Sequence, residues 1–454
     1  MPQKVVLIFD IGKTNKKALA LDMGGRVIAS QAQKMETLTD EDGFPCENLS
    51  ALTNWLLGTL DSYLADSAYQ VVAVNVSAYG ATWVHTDASG LPLTPVYDYL
   101  KPIPAEWTER FYAQNGGKEA LCIATASPPL GMLNAGVHLM WLKEFQPLVF
   151  ESVKWSLQLP QYLSFLISGV AATERTGLGC HTALWNFRKN DYHAWVSENE
   201  LQKKLPPMYA TYSTETVTRH AQTFQCGVGI HDSSAALATF LEAVDEPFLL
   251  VSTGTWSITL NAFSEDDLTQ EDLQNDCLNY LSHRGGQVRA SRLFLGNEHD
   301  RQVAAMAAHF KCPPDTNRFT QPNWALFDRL SEHQDYAQLL EYNGSPMLRL
   351  EYDRFATYEE AYYGLIIELL RWQIRAIRLA AGSTDIKEVY LSGGFCQNVL
   401  FTRFLAEMLP DYSLYLADIS QASALGAALV IKDAWHPDVV IGSSSFLRLG
   451  GRSQ

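Results

Sequence analysis

The chain opens on Val5–Phe9, a β-branched-rich apolar run. It is followed by the polar stretch DIGKTNKK and a second apolar run, Ala18–Asp22, before a Met-Gly-Gly turn. Short apolar runs bounded by turn residues predict strands, so the start reads as strand, polar glycine turn, strand. A third strand is expected over Arg26–Gln31. A helix is expected over Ser50–Ala65, where apolar positions 52, 55, 56, 60 and 64 keep helical spacing. Val71–Val76 returns to a strand pattern. Hairpin strands followed by alternating helix and strand predict a mixed sheet covered by helices.

Residues 101–207 are rich in aromatics, with helical stretches at Gly136–Phe145 and Gln161–Ser168 and no clean strand alternation, and read as an elaboration of the first half. At Phe248 the opening pattern restarts as FLLVSTGTWSITLNAF, where Val251-Ser-Thr-Gly-Thr-Trp answers Phe9-Asp-Ile-Gly-Lys-Thr. This recurrence predicts two lobes of related fold, 1–243 and 244–454, divided near Ala243. In the last third, Thr357 and Glu360 form a capping-box pattern ahead of an apolar stripe at 362, 365, 366, 369, 370 and 374, with Gly382 past its end. A strand is expected at Glu388–Leu391, then the turn SGGFCQN and a helix over Val399–Leu409 stopped by Pro410. A strand at Leu414–Ala417 and a helix at Ala422–Lys432 follow.

The 454 residues are 47% hydrophobic and 19% charged, ordinary usage for a globular chain of two or three domains. Asp plus Glu is 50 against 34 Lys plus Arg, a net charge of −16. That sign argues against nucleic acid and anionic membrane as partners. Seven cysteines without a C-x-x-C pair argue against a disulfide framework and a structural zinc site. The first apolar run is too short for a signal peptide core or a membrane span, so a cytoplasmic location is expected.

Four motifs carry candidate chemistry. In Asp10-Ile-Gly-Lys-Thr-Asn-Lys-Lys17 a carboxylate ends a strand and Gly12 lets backbone approach a phosphate. Lys13, Thr14, Asn15 and Lys16 or Lys17 add donors and charge, and Asp10 can hold magnesium through water. A solvated hairpin turn is the plainer reading of these residue types. Ser252-Thr-Gly-Thr-Trp-Ser257 repeats the arrangement around Gly254 and Thr255, and one such hairpin per lobe suits a nucleotide held between lobes. In GVGIHDSSAA, Asp232 precedes a small-residue helix, as either its N-cap or a base that accepts a proton from an attacking hydroxyl, with His231 to orient it. Leu391-Ser-Gly-Gly-Phe-Cys-Gln-Asn398 joins strand to helix; Gly393 and Gly394 allow close approach of a ring, and Gln397 and Asn398 offer amides.

DIGKTNKKALALD, GIHDSSAA, STGTWS and LSGGFCQN, in that order from residue 5 to about 432, resemble the FGGY carbohydrate kinases, within the superfamily of sugar kinases, actin and chaperone ATPases. STGTW and GIHDSSAA are most similar to the kinases of the deoxyketoses rhamnulose and fuculose. The resemblance implies an α/β fold of two actin-like (ribonuclease H-like) lobes, mixed sheets flanked by helices, with MgATP in the cleft between them. It implies Asp232 as catalytic base and Asp10 as the magnesium-associated aspartate. Gly12, Thr14 and Lys16 or Lys17 match the first phosphate hairpin, Gly254 and Thr255 the second, and Gly393, Gly394 and Asn398 the adenosine turn. By rough alignment Ser77, Tyr79, Thr82, Trp83, Tyr97 and Asp98 face the sugar, with His231 and Asp232. The chain departs from the family at Val96-Tyr-Asp-Tyr-Leu-Lys101, which lacks an Arg, and at Pro160-Gln161, where the family has Pro-Asp.

The expected activity is transfer of the γ-phosphoryl group of MgATP to a hydroxyl of a small ketose, a deoxyketohexose such as L-rhamnulose or L-fuculose being favoured. A kinase for a pentulose or polyol (xylulose, ribulose, glycerol), or a non-catalytic sugar or nucleotide sensor on the same fold, is the alternative. The partners are then a small sugar and ATP, with a homodimer left open.

Overall fold

The computed structural model describes the chain except residues 333–336, 343–344, 418, 420, 440–445, 451 and 453–454. Strand β1 (Gln3–Ile11) pairs antiparallel with β2 (Lys16–Leu21), and β2 with β3 (Val27–Gln33). Helix α1 (Leu49–Ala65) starts where Asn48 Oδ1 accepts from the Ala51 amide at 3.1 Å, and it buries Leu52, Leu56, Leu60 and Leu64, the helical stripe read from the pattern. Strand β4 (Tyr69–Ala78) then runs parallel to β1 on the side away from β2. After α2 (Leu159–Ser168) come β5 (Thr214–Arg219), β6 (Gln222–Gly227), the short β7 (Ile230–His231) and α3 (Asp232–Leu241). The first sheet has the order β5-β6-β4-β1-β2-β3, with β7 also parallel to β4.

The second sheet contains β8 (Phe248–Thr253), β9 (Ser257–Asn261), β10 (Cys277–Leu281) and β11 (Gln287–Leu293). Helices α4 (Leu295–Phe310) and α5 (Tyr358–Ala381) lead to β12 (Glu388–Gly393), α6 (Val399–Met408), β13 (Ser413–Ala417), α7 (Ala422–Val430) and β14 (Phe446–Arg448). Its order is β10-β11-β9-β8-β12-β13-β14. Stripped to five strands, β3-β2-β1-β4-β6 and β11-β9-β8-β12-β13 have the same layout: an antiparallel meander of three, then two strands parallel to the first. The recurrence read from two short hairpins is therefore a recurrence of topology.

Three local readings change. The helix expected over Ala422–Lys432 ends at Val430 and passes into a 3-10 turn over Lys432–Ala434. At α5, Thr357 accepts from the Glu360 amide, but Glu360 reaches back to the amide of Ala356, one residue beyond the cap. In the aromatic-rich stretch, Trp155–Gln158 pairs antiparallel with Trp83–Thr86. Both strands are buried or nearly so on both faces, which removes the polar alternation by which a strand is recognised.

The final helix, α7, does not stay with the second sheet. Ala424, Ala427 and Ala428 pack on Val6, Ile8, Leu19 and Ile230 of the first. Asn75 Nδ2 donates to the Ala427 carbonyl at 2.8 Å and Thr239 Oγ1 to that of Ala422 at 2.7 Å. Small residues let α3 and α7 approach at backbone distance, and a Cβ on Gly426 would stand 1.7 Å from the Ala235 carbonyl oxygen.

Candidate active site

The C-terminal ends of three parallel strands converge. Asp10 on β1 is in register with Ser77 on β4, and Ala78 of β4 with His231 of β7, after which Asp232 begins α3. Carboxyl ends of parallel strands are where open α/β sheets bind ligands. Burial raises the Asp10 pKa to about 6; the nearby charge of Asp232 adds to the rise, while Lys17 and the Ser77 hydroxyl oppose it. Lys17 is the register partner of Asp10 on β2 and so shares its face of the sheet. Ser77 is fully buried beside it.

Asp232 is the first helical residue and not the cap. The capping position is His231, and Asp232 Oδ1 accepts from its neighbour Ser233, at 2.6 Å from the amide. A carboxylate in the first turn is stabilised there by the helix dipole, yet it remains free to act. His231 Nε2 lies 3.3 Å from Asp232 Oδ1 and 3.3 Å from Cys180 Sγ, with Nδ1 3.3 Å from Ser234 Oγ. Burial lowers the His231 pKa, against the pull of Asp232, so the imidazole is neutral at neutral pH. Gln161, the departure from Pro-Asp, is buried and donates from Nε2 to the Gly229 carbonyl at 3.1 Å, which fixes the turn just before His231.

The lysines of the first hairpin divide by side. Lys16 is 2% exposed, with Nζ 3.0 Å from Glu47 Oε1, and the Tyr79 hydroxyl donates to Glu47 Oε2 at 2.6 Å. Lys16 is thus committed inside the lobe and leaves the phosphate set. Lys13 turns the same way: Nζ is 2.8 Å from Asp98 Oδ2 and 5.1 Å from the ring centroids of both Tyr79 and Tyr99. Asp232 contributes to raising the Tyr99 pKa, after burial and Asp98, so this aromatic and ionic cluster lies near Asp232. Sequence reasoning missed Tyr99, which lies in the turn just past the Val96–Tyr97 strand, where no periodicity marks its direction.

Trp83 and Tyr97 leave the sugar set. Each is 1% exposed; the indole N–H of Trp83 donates to the Ala135 carbonyl, and the Tyr97 hydroxyl is engaged with Glu41 and Gln146. Both belong to the apolar core of the aromatic-rich segment. Thr82 is buried with Oγ1 3.2 Å from the Gly80 carbonyl oxygen. Lys101, at the end of the segment that lacks the family's Arg, is held by Asp40 at 2.5 Å and Asp42 at 2.7 Å.

In each hairpin the glycine amide closes the turn: Gly12 donates to the Asn15 carbonyl at 2.9 Å, and Gly254 to that of Trp256 at 2.7 Å. Thr14, Asn15, Gly254 and Thr255 are exposed at the two tips. The second tip is seated on the start of α4, where the amides of Gly296 and Asn297 donate to the Thr255 carbonyl. Gly393 at the end of β12 has φ +93°, and a Cβ there would meet the Thr253 carbonyl oxygen at 1.9 Å. Gly394 opens onto free space and Gln397 is exposed. Asn398 is used locally: Oδ1 caps α6 by accepting from the Phe401 amide at 3.1 Å, and Nδ2 donates to the Tyr362 hydroxyl at 2.8 Å. Its side chain therefore shapes the turn between β12 and α6 and is not a free contact.

Two ribonuclease H-like sheets of one topology, each with a glycine-closed hairpin, and a carboxylate pair at one set of strand ends define a sugar kinase of the actin-like class. The model of the FGGY family of carbohydrate kinases, N-terminal domain, matches residues 5–234. The chain belongs to this family and is a sugar phosphotransferase. An L-fuculokinase of Salmonella typhi is 24% identical over 94% of this chain and 92% of its own length. A rhamnulokinase of Halalkalibacterium halodurans is 23% identical over 86% and 88%. In fold, a carbohydrate kinase from Novosphingobium aromaticivorans superposes with a TM-score of 0.82 at 22% identity, covering 99% of this chain and 95% of that one. No helix among the described residues is long and apolar enough to cross a membrane.

Proposed function

We propose that this protein transfers the γ-phosphoryl group of MgATP to a hydroxyl of a small ketose, with L-rhamnulose or L-fuculose favoured. The lobes are 1–243, for the sugar, and 244–454, for the adenosine. The observation that carries the reading is the placement of Asp10, at the end of β1, and Asp232, where β7 passes into α3, at the ends of strands on either side of β4. Asp232, beside a neutral His231, takes the proton of the acceptor hydroxyl. Asp10 and Lys17 flank the transferred group, while the exposed tips of the two hairpins offer backbone N–H groups to the phosphates. Two neighbouring carboxylates suit Mg²⁺, which binds through one or two of them plus waters and phosphate oxygens and would neutralise phosphoryl charge there. The acceptor lies against Tyr79, Tyr99, Ser77, Thr82, His231 and the Lys13–Asp98 pair, which presents a donor and an acceptor to neighbouring hydroxyls. Such a reaction belongs in the cytoplasm, where ATP is supplied.

The test is ADP release from MgATP across a panel of L-rhamnulose, L-fuculose, D- and L-xylulose, D- and L-ribulose and glycerol. A strong response to one deoxyketose supports the reading. A response to a pentulose or glycerol alone moves the substrate class. ATP binding without transfer to any member favours the sensor.

A further inference from the structure

Lys13 stands in the first hairpin, among residue types that suit phosphate, yet its side chain serves another element. Its Nζ lies 2.8 Å from Asp98 Oδ2, with side-chain exposures of 31% and 9%. The same ammonium sits 5.1 Å from the ring centroids of both Tyr79 and Tyr99, which meet each other edge-on at 6.3 Å. Backbone pairing keeps this arrangement at the strand ends of the candidate site. The Tyr79 amide donates to the Ile11 carbonyl at the end of β1, and Ala78 is the register partner of His231. A Cβ on Gly80 would stand 3.0 Å from the His231 ring.

Two lysines clip the hairpin to a small separate sheet. In that sheet Cys46–Glu47 pairs with Val96–Tyr97, and Asp98 follows directly. Lys16 bonds Glu47 and also donates to the Lys13 carbonyl at 3.0 Å, which fixes the backbone from which Lys13 reaches Asp98. Lys101, the cation of the Asp98 segment itself, is committed to Asp40 and Asp42. The charge on Asp98 is therefore met by the hairpin.

Unused hydrogen-bonding capacity collects at this point. An ammonium has three donors, and a carboxylate about four acceptor sites. Among the described residues Lys13 Nζ has Asp98 as its one hydrogen-bonding partner, and Asp98 takes besides only the Leu100 amide, on Oδ1 at 2.8 Å. The Tyr99 hydroxyl has no hydrogen-bond partner among them. An anion is a poor occupant, because oxygens that approach Lys13 Nζ also approach the Asp98 carboxylate. Two adjacent neutral hydroxyls fit, one accepting from Lys13 and the other donating to Asp98, with the tyrosine rings against the apolar edge of the sugar. We infer that Lys13 is a specificity-determining residue for the acceptor: paired with Asp98, it selects a neutral sugar with adjacent hydroxyls over a sugar acid, and it does not bind nucleotide phosphate. The inference deepens the acceptor site of the kinase proposed above and rests on that reading.

The test is calorimetry on the full chain with each panel sugar, with D-gluconate as the acid and with MgADP. Lys13→Met should weaken the tightest-binding sugar at least about tenfold and leave MgADP within about twofold, since a site built to bond a hydroxyl loses most when the bond is removed. Lys13→Met with Asp98→Asn, which strands no charge, should stay as weak. Among monodeoxy analogues of that sugar, one should bind wild type and Lys13→Met alike within about twofold, because the hydroxyl read by the ammonium is already gone. D-gluconate should bind the wild type at least about tenfold more weakly than the sugar, and Asp98→Asn, which frees the ammonium, should narrow that gap at least about threefold. A loss confined to MgADP, recovery of sugar affinity in the double variant, an equal gap for every analogue, or a gluconate gap that is absent or indifferent to Asp98→Asn overturns the inference. So does failure of every panel sugar to bind the wild type. Binding without phosphoryl transfer would instead end the kinase reading and leave Lys13 judged by these affinities alone.

Discussion

The ammonium of Lys16 and the carboxylate of Glu47 meet at 3.0 Å, with side-chain exposures of 2% and 5%, and the Tyr79 hydroxyl closes on the same carboxylate. Removing one partner of such a pair strands a buried charge, at a cost of about 3–5 kcal/mol, whereas replacing both together is often nearly neutral. Lys16→Met should therefore be strongly destabilised in denaturant titration, and Lys16→Met with Glu47→Leu should recover most of the loss. Nucleotide affinity of the double variant, measured by calorimetry, should match the wild type. A selective loss of nucleotide binding would return Lys16 to the phosphate hairpin.

Asp10 should make the nucleotide-free protein less stable as pH rises. Its carboxyl titrates near 3.8 when unperturbed and near 6 in the fold, so between those values the folded state holds the extra proton. Stability is full below the lower value, falls through the window and stays reduced above it, by at most about 3 kcal/mol. Asp10→Asn should flatten that slope and raise the melting temperature at pH 7. An equally steep slope in the variant would assign it to another group.

Asp232→Asn should cut turnover at least about a hundredfold, while nucleotide affinity stays within about twofold, because the amide keeps the shape of the site but cannot accept the proton. Stopped-flow turnover and calorimetry on one preparation check both halves.

Glu242 ties three segments together through His283, Arg284 and Lys432, and these partners hold its carboxyl well below the usual range, His283 foremost. Its contribution is present above the ordinary carboxyl pKa and is lost as pH falls through the depressed value. Glu242→Gln should cost about 1–3 kcal/mol at pH 7 and progressively less in acid.

Gly426→Ala places a methyl group 1.7 Å from the Ala235 carbonyl oxygen, in the contact of α7 with α3. Overpacking costs about 1–3 kcal/mol, occasionally more, and two helix backbones that already touch have little room to relax. Hydrogen exchange should rise in α3 and α7 ahead of α5. Uniform protection across all three would show that the helices adjust.

Local chemistry was written plainly in the chain. Short apolar runs, glycine turns and the 362-to-374 stripe specify β1, β2, β8, β9 and α5, because run length, helix period and turn dihedrals depend on near neighbours. Motif order was enough for the family, and it singled out Asp10 and Asp232, which the sheet then sets at the ends of strands on either side of β4. The directions of the lysines were not local. Lys16 and Lys17 are adjacent, and only pairing of β2 in the sheet sends one to Glu47 and the other to Asp10. Trp83 and Tyr97 read as sugar-facing until packing made them core, and Asn398 read as a free amide until α6 took it as a cap. The landing of α7 on the first sheet joins residues that no window along the chain contains. Contacts of that kind are set by which buried surfaces and polar groups satisfy one another once both sheets have formed, so only the tertiary structure decided them.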